Sequence, residues 1–283
     1  MKSHGQFVVS TRCLSRPANL RDANCVPNAF LLLISLSPRH NPPVKVSVIV
    51  PAFNEEKLIA QSLRSIKSAQ EAFTVRGWEA ELVVCDNNST DRTAELARAE
   101  GAVVAFEPVN QIARARNCGA AAATGDWFIF VDADSFPSRG LFDDVAEQIE
   151  TGRCLGGGCL VKLDENLFWA NVMIGVWNLI SRLKRWAAGS FVYCEASAFR
   201  DLGGFSQKLY ASEEIEFSQR LKILARSRNK KIVILRRHPL VTSARKLHLY
   251  SGREHLRFMW KAARNPGILT NRDECPTWYD GRR

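Results

Sequence analysis

A chain of 283 residues can form one large domain or two small ones, with 46% apolar and 24% charged residues in the range of a soluble globular protein. No run approaches the ~18 consecutive apolar residues of a membrane span. The +10 charge is uneven: residues 1–46 carry six Lys/Arg against one acid and 218–283 seventeen against four, which leaves the middle acidic. A basic tail on an acidic middle predicts an anionic partner, a phosphate-rich substrate or a membrane surface, with a solvated basic face as the plain alternative. No recognition motif accompanies these charges, so no nucleic-acid partner is expected. Eight cysteines without a CxxC pair exclude a disulfide framework or a zinc site and favour a reducing compartment. The expected location is cytoplasmic, with peripheral placement at the inner face of the membrane as its extension.

Residues 1–43 scatter Pro, Arg, Asn and Cys without a sustained period and are expected to be a poorly ordered extension, introduced by an upstream start codon. Residues 29–36 (AFLLLISL) resemble a signal-peptide core, but their polar leader is long and no small-residue cleavage site follows. The first strand is predicted at 44–50 (VKVSVIV), followed by a helix whose apolar face holds Leu58, Ile59, Leu63, Ile66 and Ala69. Residues 81–85 (ELVVC) form the next strand. Ser89, Thr90 or Asp91 then caps a helix over 92–100. A third strand at 102–106 and a small-residue helix at 112–124 lead to 127–131 (WFIFV), whose consecutive apolar positions fit a strand buried on both faces. Three strand–helix alternations predict βαβ units in a mostly parallel sheet, with the loops 51–56, 86–91 and 132–136 along one edge. That edge collects Glu55, Asp86, Asp91, Asp132 and Asp134. Two carboxylates one residue apart at a strand end need a cation; hard oxygen donors suit Mg²⁺ or Mn²⁺ shared with substrate phosphates. In the plainer reading Asp132 and Asp134 only cap the helix expected from about Ser138.

The stretches VSVIVPAFNEE, VVCDNNSTDRT, ARARNCGAAAATGDWFIFVDAD and SEEIEFSQRL resemble, in order and spacing, the successive motifs of family 2 glycosyltransferases. The resemblance runs over about 46–225. It implies an α/β fold of the GT-A, Rossmann-like type with a mostly parallel sheet flanked by helices, and a DxD motif at the C-terminal end of a strand. It implies domain limits of 44–250, divided at 137/138 into a nucleotide-sugar half and an acceptor half, with 251–283 an amphipathic helix and tail. It also implies Mn²⁺ or Mg²⁺ and a nucleotide-sugar donor, a UDP-sugar by preference. Pro51, Phe53, Glu55, Asp86, Arg116, Asp132 and Ala133 would line the donor site, and Arg245 would contact the diphosphate. Asp134 would be the principal metal ligand beside Asp132, with His248 a further candidate. Asn87 departs from the family pattern, which has a second aspartate there, and leaves donor preference open.

In the acceptor half a helix near 141–150 precedes 156–163 (GGGCLVKL), a strand introduced by a flexible glycine turn. Residues 168–187 repeat apolar side chains at three and four, rich in Trp. Core packing is the plain reading; an acceptor groove or a helix in the membrane interface is the sharper one. A strand at 189–194 and a turn at Gly203-Gly204 lead to 210–217, which brings Glu213, Glu214 and Glu216 to a helix start. Acids there are favourable through the helix dipole alone. The resemblance makes Glu213 and Glu214 the acidic pair that supplies the base of an inverting transfer, with Glu214 aligning best although relatives more often have Asp. A last strand is predicted at 230–235, an amphipathic helix at 251–263 and an irregular tail after it.

The Gln-x-x-Arg-Trp motif of processive synthases is absent, which favours single transfers to a glycan or lipid-linked acceptor in cell-envelope synthesis. Two rivals remain. A sugar-phosphate nucleotidyltransferase would carry a Gly-rich phosphate loop where this chain has the acidic, Gly-free 51–56. A non-catalytic nucleotide- or glycan-binding protein of the same fold would show no metal-dependent release of nucleoside diphosphate.

Overall fold

A computed structural model describes residues 43–245, 252–275 and 279. Its sheet opens with strand β1 (Lys45–Ala52), helix α1 (Ile59–Thr74), β2 (Glu79–Asp86), α2 (Thr93–Ala99), β3 (Val103–Phe106), α3 (Ile112–Ala122) and β4 (Trp127–Val131). β1 pairs in parallel with both β2 and β4, and β2 with β3, so these four strands end along one edge. Trp127, Ile129 and Val131 point into the core formed with α1, whereas Phe128 and Phe130 point into a second core on the opposite face. This is the period-two alternation of a strand covered on both sides. Burying each such side chain contributes about 1.5–3 kcal/mol, so β4 anchors both layers.

The second half is mixed. β5 (Ser135–Phe136), α4 (Arg139–Glu150), β6 (Cys154–Leu163), α5 (Phe168–Lys184), β7 (Phe191–Glu195), α6 (Ala196–Asp201), α7 (Glu213–Ser227) and β8 (Lys231–Thr242) follow in order. The sheet order is β3-β2-β1-β4-β7-β6-β8-β5, with β7 and β5 running against the other strands. Helix α8 (Gly252–Arg264) and two short 3₁₀ turns, Pro266–Thr270 and Arg272–Glu274, close the described chain. The GT-A expectation therefore holds.

Several local expectations change. The glycines at 156–158 lie inside β6 rather than in a turn, because β6 is pressed between β7 and β8: a Cβ on Gly157 would run into the Val233 carbonyl. β8 is much longer than 230–235. Its polar Arg236-Arg237-His238 segment hides the strand pattern but continues the pairing with β6, past an irregularity, to Thr242. The described tail after 264 is not irregular: it carries two 3₁₀ turns, and the Tyr210 N–H donates to Leu269 O at 2.7 Å. The capping reading of the aspartates fails, since Ser138 caps α4 by accepting from the Leu141 N–H. The core-packing reading of α5 fails as well. Only Ala170 and Ser181 of that helix are buried, and most of its large apolar side chains face outward. Residues 1–42 and 246–251, including His248, lie outside the described residues.

Candidate active site

The parallel register sets the C-terminal ends of β1, β2 and β4 side by side, with Ala52 opposite Asp86 and Ile49 opposite Phe130. The loops that leave them enclose a cleft of roughly 300 Å³, at the small end of ligand sites. Its wall includes Pro51, Phe53, Glu55, Arg116, Asp132 and Ala133 from the sequence-predicted donor set, and Asp134, the predicted principal metal ligand. Glu213 and Glu214 come to the same cleft from the start of α7. Pro51 and Glu214, 163 positions apart, thus meet at one sheet edge.

The two donor-side loops are fastened to each other. Asn54 Oδ1 accepts from the Thr90 N–H at 2.8 Å, Ser89 Oγ from the Asn54 N–H at 3.0 Å, and Thr93 Oγ1 from the Glu55 N–H at 2.7 Å. Asn54 and Asn88 adopt the left-handed backbone that such tight turns require, which Asn tolerates better than most residues. Asp91 does not reach the cleft: its carboxylate accepts from the Thr93 and Glu56 N–H groups. Asp86 is buried outside the cleft wall and accepts from the Ser89 N–H at 3.0 Å. A short acidic side chain close to unpaired backbone donors binds them first, so the predicted acidic edge shrinks to Glu55, Asp132 and Asp134. Asn87 does line the cleft, but its amide Nδ2 donates to Glu107 O (3.1 Å) and Val109 O (2.7 Å). Its Oδ1 accepts from the Gln111 N–H (2.9 Å).

Arg116 is the centre of the opposite wall. It projects from α3, is 2% exposed, and pairs with Glu213 through Nη1. Nη2 donates to Asp132 Oδ1 at 3.1 Å and to Gly189 O at 2.7 Å. Burial opposes its charge, but Asp132, Glu213 and Glu214 around it raise its pKa above the ordinary arginine value. For Glu213 burial wins over the attraction of Arg116, and its pKa rises. The Glu214 carboxyl is pushed up to about 8, first by burial and then by the negative charge of Glu213, with Arg116 opposing. Ser212, which turns the chain into α7, sits at φ 63° without a side-chain cap bond. A left-handed serine at this point is backbone strain held at a helix start that delivers both glutamates.

Arg245, just beyond β8, does not line the cleft; it pairs with Glu55, which does. Asp134 is 4% exposed, and its carbonyl accepts from the Ser243 N–H at 3.0 Å, so the Arg245 segment is held beside the aspartate turn. Among the described residues no group of three or more His, Cys, Asp or Glu side chains could hold a metal ion. Asp132 and Asp134 are two hard oxygen donors on one turn. That fits a divalent cation which completes its shell with ligand phosphates, and does not fit an all-protein cage.

Sequence reasoning missed several parts of the wall. Gly189 and Ser190 come from the turn before β7, whose antiparallel insertion beside β4 had no local signal. Tyr279 lines the cleft from the tail; its hydroxyl accepts from the Ile112 N–H at 3.3 Å and its ring meets Tyr210 edge-on at 5.6 Å. An isolated aromatic in an irregular segment carries no pattern that would have found it.

The family model described as "Glycosyl transferase family 2" matches residues 47–202. A 4,4'-diaponeurosporenoate glycosyltransferase of Staphylococcus haemolyticus is 38% identical over 96 residues, 31% of this chain and 24% of that protein. The first curated relatives are matched over only 28% to 47% of their own length. Among solved structures, S. aureus TarS residues 1–349 gives a TM-score of 0.56 at 20% identity, covering 84% of this chain and 78% of that one. The Pyrobaculum calidifontis mannosyltransferase PcManGT, solved with GDP-Man and Mn²⁺, gives 0.58 at 20% identity, covering 82% and 69%.

Proposed function

The chain belongs to glycosyl transferase family 2, and from that premise we propose that it moves a sugar from a nucleotide-sugar donor to an acceptor hydroxyl in single, inverting transfers. The observation that carries this reading is the placement of Glu214, a carboxyl with a raised pKa, in the same cleft as Asp132 and Asp134. A carboxylate whose pKa lies near the working pH suits a general base. Glu214 takes the acceptor proton as that oxygen bonds to the anomeric carbon. The bond from that carbon to the diphosphate breaks on the opposite face, and the diphosphate leaves with the electron pair. One displacement with one base inverts the centre, whereas retention would need a second, nucleophilic carboxylate.

Glu213 is spent on Arg116 and acts as a positioning residue: the pair fixes the start of α7 and orients Asp132. Asp132 and Asp134 would hold Mn²⁺ or Mg²⁺ together with the diphosphate, where the ion supplies charge neutralisation. Arg245 reaches the diphosphate by exchanging its Glu55 partner for phosphate oxygens. A UDP-sugar is the preferred donor. The acceptor we propose is a glycan or a lipid-linked molecule of the cell envelope.

The test is thermal stabilisation by UDP, GDP, dTDP and CMP, each with and without Mn²⁺, on the wild type and Asp134→Ala. A ligand at 100 times its Kd adds about 2.7 kcal/mol. One nucleotide should stabilise only with metal, and Asp134→Ala should abolish the gain. If none stabilises the wild type, the donor-site reading falls.

A further inference from the structure

Helix α5 is built inside-out. Two of its polar residues face the protein: Asn178 donates to Val161 O at 2.9 Å and accepts from the Val161 N–H at 3.1 Å, and buried Ser181 donates through Oγ to Trp186 O in the turn that ends the helix. Ala170 is buried and Met173, Ile174 and Trp177 are half-buried, but most of its large apolar residues face away. Phe168, Val172, Val176, Leu179 and Leu183, spaced four, four, three and four apart, form one outward stripe, 83% exposed at Phe168 and 72% at Leu183. A helix that is tied to β6 through Asn178 while offering Leu, Val and Phe outward has the surface of an element seated in an apolar phase.

The charge around its C-terminal end identifies the phase. Residues 168–185 contain no acid. Arg182, Lys184 and Arg185 gather there with Lys222 and Arg226 of α7, and the Lys222 ammonium donates to Lys184 O at 2.9 Å. Burial, then the charges of Arg226, Arg185 and Lys184, lower the Lys222 pKa below its ordinary value. None of these five cations forms a salt bridge among the described residues. A hollow between α5 and β8 continues the arrangement, with Leu179, Ile232 and Ile234 as its floor and Arg182, Lys231 and Arg236 among its basic lining. An apolar stripe ending in a basic rim is what an interfacial helix presents to lipid.

We propose that the outward stripe of α5 and the basic cluster at its C-terminal end seat the protein on an anionic lipid surface. This does not rest on the glycosyl-transfer reading. It places the cleft close to that surface, because the loop before α5 is tied to the Arg245 segment: Asp164 Oδ1 accepts from the Ala244 N–H at 2.8 Å.

Co-sedimentation of the full chain with phosphatidylcholine vesicles, with and without phosphatidylglycerol, tests it without any donor. The wild type should pellet with the anionic vesicles and leave them as salt is raised. Val176→Asp/Leu183→Asp should stay in the supernatant with an unchanged melting temperature, since both side chains are exposed. Arg182→Glu and Arg185→Glu should each weaken partition at least about fivefold, the equivalent of about 1 kcal/mol per basic residue. The proposal is overturned if the wild type ignores anionic vesicles or the aspartate variant pellets as well as the wild type. Equal binding to neutral vesicles overturns it too. So does a wild-type dimer in the ultracentrifuge that Val176→Asp dissolves while vesicles take up nothing.

Discussion

The two walls of the cleft are built differently. On the β1–β2 side, neighbouring loops spend their short polar side chains on one another, so Asn54, Ser89, Thr90, Asp91 and Thr93 form a hydrogen-bonded frame. On the α3–α7 side one buried guanidinium joins Asp132 and Glu213, residues contributed by distant parts of the chain. The first wall distributes its stability over many ordinary hydrogen bonds, each worth about 0.5–1.5 kcal/mol. The second concentrates charge in a low-dielectric pocket, where a single deletion leaves a partner uncompensated. The first wall is the hydrogen-bonded frame, and the second holds the residues of the proposed chemistry.

The largest effect should come from the reactive wall. Glu214→Gln removes the proposed base while preserving shape, and should lower kcat by about 10²–10⁴-fold with nucleotide stabilisation retained. Loss of nucleotide binding together with turnover would mean that Glu214 belongs to the donor frame, and the contrast between the walls would break. The raised pKa adds a sign that can be checked. The base works deprotonated, so kcat/KM should climb with pH and level off above about pH 8. Stability should run the other way. The folded carboxyl holds its proton to a higher pH than the unfolded one, so the folded state loses stability between the ordinary glutamate value and about pH 8. Differential scanning of Glu214→Gln should therefore show a gain over wild type at alkaline pH that disappears in acid.

Arg116→Met is the next largest. It strands Glu213 and Asp132, and breaking a buried pair in this way costs about 3–5 kcal/mol. Chemical denaturation should register the loss, and adding Glu213→Gln should recover part of it. Full additivity of the two changes would show that the ion pair is not a unit.

The donor wall was legible because its elements are local. β1, β2 and β4 announce themselves by continuous apolar runs such as WFIFV, and the parallel crossover rule places their loops together without knowledge of any side-chain contact. Which carboxylates face the cleft was not legible. Asp86 and Asp91 have the same chemistry as Asp132, and only the positions of nearby N–H groups turn them into loop caps. The reactive wall was legible at Glu213 and Glu214 through the resemblance. The resemblance also placed Arg116 in the donor site, but not its pairing with Glu213: in ARARNCG it is one of two helical arginines, and nothing local says which carboxylate it joins. Tyr279 and the β7 turn depend on packing between segments far apart in the chain, for which sequence has no period. The α5 stripe was visible as a period but not as a direction. The same spacing serves a helix facing a core or facing away from it, and the choice turns on Asn178 bonding to β6 and on Ser181 lying buried beneath the helix.

The smallest expected effect separates frame from specificity at Asn87, where the family pattern has an acid. In this cleft the Asn87 amide is used up internally, donating twice to the 107–109 segment and accepting once from the Gln111 N–H. An aspartate there could still accept but could donate nothing, and it would place a negative charge against two carbonyl oxygens. Asn87→Asp should therefore cost about 1–3 kcal/mol, read as a lower denaturation midpoint, while the order of preference among nucleoside diphosphates stays as in the wild type. Asn87→Ser, which keeps one donor but cannot span both carbonyls, should fall between the two. If instead the aspartate variant keeps its stability and changes which nucleotide it prefers, Asn87 reads the base, and the frame on that side of the cleft is itself part of the donor selection.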